Sequence, residues 1–426
     1  MTRPQGRHLQ IVIGLVGALA LASCASPGAR TTGNAASGTA GVQGEVQIAI
    51  DYVGGTAGAA GSGTPIKIGW VNSEEAGPVV FPEATAAAKA AVDFVNTELG
   101  GVGGRPLELV TCAVAGTEEQ GQACGQRMAN DPDVNVVLGG SVLFGSGSLA
   151  SALAGQKPFV GTIAIAPPDF AATDSYYLFG DGANSYGALA TYAGEVLEAK
   201  SAAIVYPQIP GSDDAAASVK SDLEKLGITV NSVGYPPTNT DLVGPLTAAG
   251  AQRADVLIPL TESSGCIRAY NAIKQLGLTK PVITSGLCTN PDVVAAVGDF
   301  PLGWSFALVS NPFDVSDPQV ALFQQKVKQY GGADAQIHGS ASLGFGSVLT
   351  MTKILNELGV DNLTAERIRD AVKAYQGPVY LGPASVDCGF AAPAAPSLCA
   401  TDSYVITYAG DGKWDDHGRG FRAPAA

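Results

Sequence analysis

Six cysteines stand in three close pairs along this chain, Cys112 with Cys124, Cys266 with Cys288, and Cys388 with Cys399. None of the pairs has the C-x-x-C spacing of a zinc or redox site, so local structural disulfides are expected. A seventh cysteine, Cys24, stands apart. The run Gly145-Ser146-Gly147-Ser148-Leu149-Ala150 matches the G-x-G-x-x-A dinucleotide fingerprint, whose glycines let backbone N–H groups approach a phosphate. That chemistry also needs an acidic residue at the end of the next strand, and Phe159 to Ile165 offers none. No nucleophile elbow occurs, the nearest run being Gly303-Trp304-Ser305-Phe306-Ala307. The histidines are His8, His338 and His417, too scattered to suggest a Ser-His-Asp site. Glu74-Glu75 and Asp213-Asp214 lack the spaced partners of a metal site. No catalytic residue, no metal and no cofactor is therefore expected.

The elements that carry these residues alternate. Ile66 to Val71, Leu107 to Val110, Val134 to Leu138 and Phe159 to Gly161 read as short apolar strands, separated by helical patterns at Pro82–Leu99, Gln120–Asn130 and Ser146–Ala154. A second series follows, with strands at Ala202–Tyr206, Val230–Val233, Val256–Leu260 and Val282–Ser285 and helices at Ala188–Leu197, Asp213–Leu226, Val243–Gly250 and Gly265–Leu276. Later helices at Ala341–Leu358 and Thr364–Lys373 precede a closing hairpin at Tyr404–Tyr408 and Lys413-Trp414. Such alternation means βαβ units and parallel sheets, and two series mean two α/β domains. At 426 residues there is room for both cores. A hydrophobic share of 46% against 15% charged excludes a mainly disordered chain, and a net charge of −14 argues against nucleic acid as a partner.

The N-terminus carries an export signal. Arg3 and Arg7 precede a nearly unbroken apolar run from Leu9 to Leu21, and Ala22-Ser23 lead into Cys24. The layout is that of a secretory signal peptide over residues 1–23, too short to span a bilayer as a helix. It resembles the lipobox of bacterial lipoproteins, which implies a lipid on Cys24 and an extracytoplasmic, membrane-anchored body. Setting Cys24 aside leaves an even number of cysteines, in keeping with an oxidising compartment. Residues 24–64 are rich in Gly, Ala, Ser and Thr and read as a flexible linker, with Val46–Ile50 as an isolated strand.

The segment Val95-Asn96-Thr97-Glu98-Leu99-Gly100-Gly101-Val102-Gly103-Gly104-Arg105-Pro106-Leu107 resembles a hallmark of the periplasmic binding proteins for leucine, isoleucine and valine. Ile68-Gly69, Val137-Leu138-Gly139-Gly140-Ser141 and Lys157-Pro158-Phe159-Val160-Gly161-Thr162 fall in the family's order, and the likeness runs from Ile66 to Trp414. The resemblance implies the type I fold: two Rossmann-like α/β domains with parallel sheets, joined by three hinge crossings and closing on a ligand. The crossings are expected near Asp181–Ser185, Ser310–Phe313 and Gly377–Pro383. Residues 65–182 plus 311–379 would then form the N-terminal lobe, and 183–310 plus 380–426 the C-terminal lobe.

Ligands of open α/β sheets bind at the carboxyl ends of strands. On the first lobe those ends offer Asn72, Ser73 and Glu74, with Phe81 as a wall, then Ser141, then Thr162, Ile163 and Ala164. In the family the Ser and Thr positions hold the ligand's carboxylate. On the second lobe Ile209 occupies the place of a frequent aromatic wall, Thr261 and Glu262 follow one strand, and Leu287 follows another. His338 is expected to reach the cleft from the third chain segment. Amino-acid-binding members place an acid after the strand matching Val282–Ser285, where this chain has Gly286-Leu287-Cys288. Either Glu262 or Glu74 substitutes, or the ligand is an acid, amide or other molecule without an ammonium group, which the missing carboxylate favours. A Cys266–Cys288 bridge would sit at the cleft edge, stiffening the rim or simply stapling the fold, and contributes about 3 kcal/mol by chain entropy.

The expected protein is a monomeric, lipid-anchored solute-binding component of an ABC-type importer. Its partners would be a small amino acid, amide or carboxylic acid, the membrane through its anchor, and permease subunits. A ligand-sensing module for a receptor and a cell-envelope enzyme on the same scaffold are the alternatives.

Overall fold

The structure, a computed structural model, describes residues 36–74, 80–209 and 212–424. The expected signal peptide and Cys24 lie outside the described residues. The chain divides into a unit ending at Val42 and a compact unit from Gln43 onward, which holds both sheets. Among the described residues no helix is long and apolar enough to cross a membrane.

A first parallel sheet takes β1 (Ile66–Ser73), β2 (Leu107–Val114), β3 (Val134–Gly139), β4 (Phe159–Gly161) and β5 (Ser175–Tyr177) in the order β2-β1-β3-β4-β5. Helices α1 (Ala36–Val53), α2 (Pro82–Glu98), α3 (Glu118–Asn130), α4 (Ser146–Leu153) and α5 (Pro167–Ala171) accompany these strands in sequence. β1 is buried along nearly its whole length, as a strand covered on both faces must be. The strand β5 was not foreseen from the sequence.

The second sheet takes β6 (Ser201–Pro207), β7 (Thr229–Tyr235), β8 (Val256–Pro259), β9 (Val282–Ser285) and β10 (Trp304–Leu308) in parallel, then the antiparallel hairpin β11 (Ser403–Gly410) and β12 (Lys413–Phe421). Its order is β12-β11-β10-β9-β8-β6-β7. Its helices are α6 (Gly182–Thr191), α7 (Ser212–Lys225), α8 (Val243–Ala248), α9 (Ser263–Gln275) and α10 (Pro291–Val297). The chain then returns through α11 (Pro318–Gly331), α12 (Ala341–Leu358) and α13 (Ala365–Ala374), whose apolar faces share the core of the first sheet. Gly344 lets α12 lie directly on α2, since a side-chain carbon there would stand 2.1 Å from the Ala84 carbonyl oxygen.

The three cysteine pairs are bridged as their positions suggest. Two sequence expectations need correction. The linker assigned to residues 24–64 contains the helix α1, not a flexible chain or a strand at Val46–Ile50. Ala49, Ile50, Tyr52 and Val53 are buried in the first core. The Tyr52 hydroxyl donates to the Pro378 carbonyl at 2.8 Å and lies 3.0 Å from Thr350 Oγ1. A few large apolar side chains thus override a helix-poor composition.

The third crossing also moves. Val379, Tyr380, Leu381, Val386, Cys388, Cys399 and Ala400 pack in the first core, and the Tyr177 N–H donates to the Ser397 carbonyl at 2.9 Å. The chain re-enters the second sheet only at β11, so residues 380–400 belong with the first lobe and the crossing is not at Gly377–Pro383. Proline, glycine and alanine dominate that stretch and give no periodicity to read.

Candidate functional site

In each sheet the strand order reverses once beside the first strand, between β1 and β3 and between β6 and β8. A crevice opens at the carboxyl ends of such a pair, because the following helices leave on opposite faces.

At the first crevice Asn72, next to last in β1, is fully buried. Its amide N–H group donates to the Phe81 carbonyl at 2.7 Å, and its Oδ1 accepts the Ser141 N–H at 3.0 Å, tying β1 to β3. Thr85, on the first turns of α2, accepts from the Trp70 indole at 2.6 Å and donates to Glu74. Ser73 is buried, its hydroxyl without a partner among the described residues. Ser141 Oγ lies 2.9 Å from Ser340 Oγ, and the Ser340 N–H donates to Glu83 at 3.0 Å. Phe81 is buried beside this group. Thr162 is fully buried too, its hydroxyl closing on the Gly140 carbonyl at 2.7 Å. Ile163 is half-buried against the first core, and Ala164 bonds to Gly180 where the chain first leaves the lobe.

Glu83 was not singled out from the sequence, although its place in the first turn of α2, directly after the β1 loop, is a signal. Burial raises its pKa above the ordinary carboxylate value; the Ser340 N–H and its own N–H oppose this, and Glu74 pushes it further up. Neither Glu74 nor Glu83 has a cationic partner among the described residues. Glu83 also faces the other lobe. A side-chain carbon on Gly339 would stand 2.7 Å from Glu83 Oε1 and 3.3 Å from Asn290 Oδ1, so the absence of one lets Glu83 and Asn290 converge there.

At the second crevice Glu262 caps α9, accepting the Gly265 N–H at 2.6 Å, and it pairs with Arg268 at 3.1 Å. Thr261 Oγ1 lies 3.0 Å from the Tyr235 hydroxyl. Ile209, after β6, is exposed, and Leu287, after β9, is half-buried. Arg268 and Tyr235 were missed, since no motif joins them. Cys266–Cys288 ties α9 to the turn after β9, and Cys288 is fully buried, so the bridge lies beneath the rim.

His338 does not stand among the strand-end groups. It packs between Phe313, stacked at 5.5 Å, and Phe300, edge-on at 5.4 Å. Burial, with Lys328 nearby, lowers its pKa and favours the neutral ring.

The Gly-rich run opens α4 as expected, but two of its N–H groups are taken. Glu118 accepts the Gly145 N–H at 3.1 Å and the Ser148 N–H at 3.0 Å, so a carboxylate of the chain fills the place of a phosphate. Ser148 and those N–H groups lower the Glu118 pKa. Among the described residues no group of His, Cys, Asp and Glu could hold a metal.

The sequence profile of a periplasmic binding protein family matches residues 65–396. No curated protein sequence matches the chain. Solved structures share the fold. The branched-chain amino acid transporter substrate-binding protein LivJ from Streptococcus pneumoniae, in complex with isoleucine, is 18% identical, covering 85% of this chain and 100% of its own, with TM-score 0.65. A solute-binding protein of an ABC transporter from R. palustris, in complex with 4-hydroxybenzoate, is 21% identical, with 85% and 98% covered and TM-score 0.64. A fatty acid ABC transporter substrate-binding protein from Thermomonospora curvata is 16% identical, with 85% and 94% covered and TM-score 0.65.

Proposed function

This chain belongs to the periplasmic binding protein family, and from that premise we propose that it is the substrate-binding component of an ABC-type importer. It captures a small molecule between its lobes and presents the closed form to permease subunits. An export signal and a lipid on Cys24 would hold it outside the cytoplasm within reach of them.

The ligand is a small molecule with a protonated amino group, of the amino acid class. The observation that carries this is the pair Glu74 and Glu83, two carboxylates without a cationic partner at the crevice, one of them with a raised pKa. An ammonium there would offset a charge that burial disfavours. The helix N-termini of α4 and α9, which would otherwise attract a ligand anion, are capped by Glu118 and Glu262. Glu262 is further engaged by Arg268, so it is a poor substitute for the missing acid after β9. The sequence preference for a ligand without ammonium rested on that turn alone, and Glu83 supports the alternative.

The test is a thermal-shift screen of amino acids and amines against their deaminated acids. A ligand at 100 times its Kd stabilises by about 2.7 kcal/mol. Glu83→Gln should remove most of the shift; a Glu83→Gln protein that binds unchanged rules the assignment out.

A further inference from the structure

Asn290 stands on the second lobe, after the turn Gly286–Thr289 that follows β9 and directly before α10. An asparagine in that position usually turns its side-chain oxygen back on the helix to accept an N–H of the first turn. Here it makes no such bond. Its amide instead donates through Nδ2 to Ser263 Oγ at 3.0 Å, on the first turn of α9. That contact holds the amide away from its own helix, and Oδ1 has no donor among the described residues.

The oxygen is aimed at the first lobe. Asn290 Oδ1 and Glu83 Oε1 lie 3.3 and 2.7 Å from the point where a side-chain carbon on Gly339 would stand, so the two oxygens are no more than about 6 Å apart. Glu83 Oε1 accepts the Ser340 N–H at 3.0 Å and keeps a lone pair. Two acceptors from opposite lobes thus converge, with no shared donor among the described residues. A charge-assisted N–H···O bond is about 2.8 Å long, so one nitrogen with two N–H groups spans the gap. A carboxylate in place of the amide would set two like charges close together and push Glu83 towards its protonated form. The amide adds an acceptor without a second charge.

We propose that Asn290 is a specificity-determining residue of the ligand site, its Oδ1 and Glu83 Oε1 together accepting two N–H groups of one ligand ammonium across the closing lobes. The assignment rests on the amino-ligand reading above and narrows it. A primary or secondary ammonium satisfies both oxygens, whereas a tertiary one has a single N–H and leaves an acceptor unpaired.

The standard L-amino acids are titrated calorimetrically into the full protein, and the tightest binder is compared with its N,N-dimethyl derivative. The wild type should prefer the primary ammonium by about tenfold or more. Asn290→Leu, close in shape and without polar side-chain atoms, should weaken the primary ammonium by about tenfold and cut that preference below about threefold. Asn290→Asp keeps an acceptor and should bind as tightly as the wild type or more so. A wild type that does not distinguish the two ammonium forms, an Asn290→Leu variant that keeps the preference, or an Asn290→Asp variant as weak as Asn290→Leu would each overturn the proposal. Such a failure leaves the Glu83 reading standing where Glu83→Gln still weakens binding. If no amino acid binds, or Glu83→Gln binds unchanged, that reading itself falls and this assignment with it.

Discussion

Lys326 on α11 ties the third chain segment to the first. Its side chain is 3% exposed, and its ammonium sits 2.7 and 2.8 Å from the two Glu98 oxygens and 3.0 Å from Gln329 Oε1, over the Phe94 ring at 5.0 Å. Glu98 is more open, at 22% exposure, and also accepts from the Tyr330 hydroxyl at 2.6 Å. The two halves of the pair should therefore fail unequally. Glu98→Ala strands a nearly buried cation with one neutral acceptor, which costs about 3–5 kcal/mol. Lys326→Met fills the same space with apolar atoms and leaves Glu98 solvent and two donors. That change costs about 1.5 kcal/mol, the value of one charge-assisted hydrogen bond. At about 2–4 °C per kcal/mol, Glu98→Ala should lower Tm by roughly 10 °C and Lys326→Met by roughly 5 °C. The double variant should resemble Lys326→Met, because no stranded charge remains. Calorimetry on the three variants decides it. Equal losses for the two single variants, or a strictly additive double variant, would show that no charge is stranded when Glu98 is removed.

Three other variants probe the remaining contacts. Tyr52→Phe removes one of the two hydroxyls, with Tyr375, that donate to the Pro378 carbonyl, and should cost about 1 kcal/mol in urea unfolding; no change would return α1 to the status of a linker. Gly344→Ala drives a methyl group into the Ala84 carbonyl and should cost about 3 kcal/mol or abolish soluble expression, whereas a neutral effect would mean α12 and α2 are not in contact. The raised Glu83 pKa means the folded state holds that proton more tightly than the unfolded chain. Glu83 should therefore favour stability as pH falls through its folded pKa towards the unfolded value, and oppose it above. A Glu83→Gln minus wild-type stability difference that does not change across that window would contradict the burial of its carboxylate.

The alternation of apolar strands and helices was legible in the sequence because parallel strands buried on both faces leave runs such as Ile66–Val71 and Val256–Leu260. The strand-end residues were legible for the same reason. What those side chains do was not. Asn72 and Thr162 are polar residues at strand ends, yet both are buried and spend their polar groups on bonds within the lobe. Glu83, Arg268 and Tyr235 gain their places only when α2, α9 and β7 converge on the crevices, a long-range relation that spacing does not carry. Tyr52 shows the same limit: its partners, Thr350 and Pro378, are 298 and 326 residues away. The Gly145–Ala150 run shows the reverse case, where a motif is present and the chain's own Glu118 already occupies its anion site.

Whether an ammonium-bearing ligand is held by Glu83 can be read by calorimetric titration of the protein. The titrants are isoleucine and related amino acids, and the same carbon skeletons lacking the amino group, at pH 7 and again under acid conditions. Saturable one-to-one binding of an amine-bearing ligand is expected, weakening as Glu83 takes up a proton, with little binding of the deaminated acid. Tighter binding of the deaminated acid, with no dependence on Glu83, would contradict it.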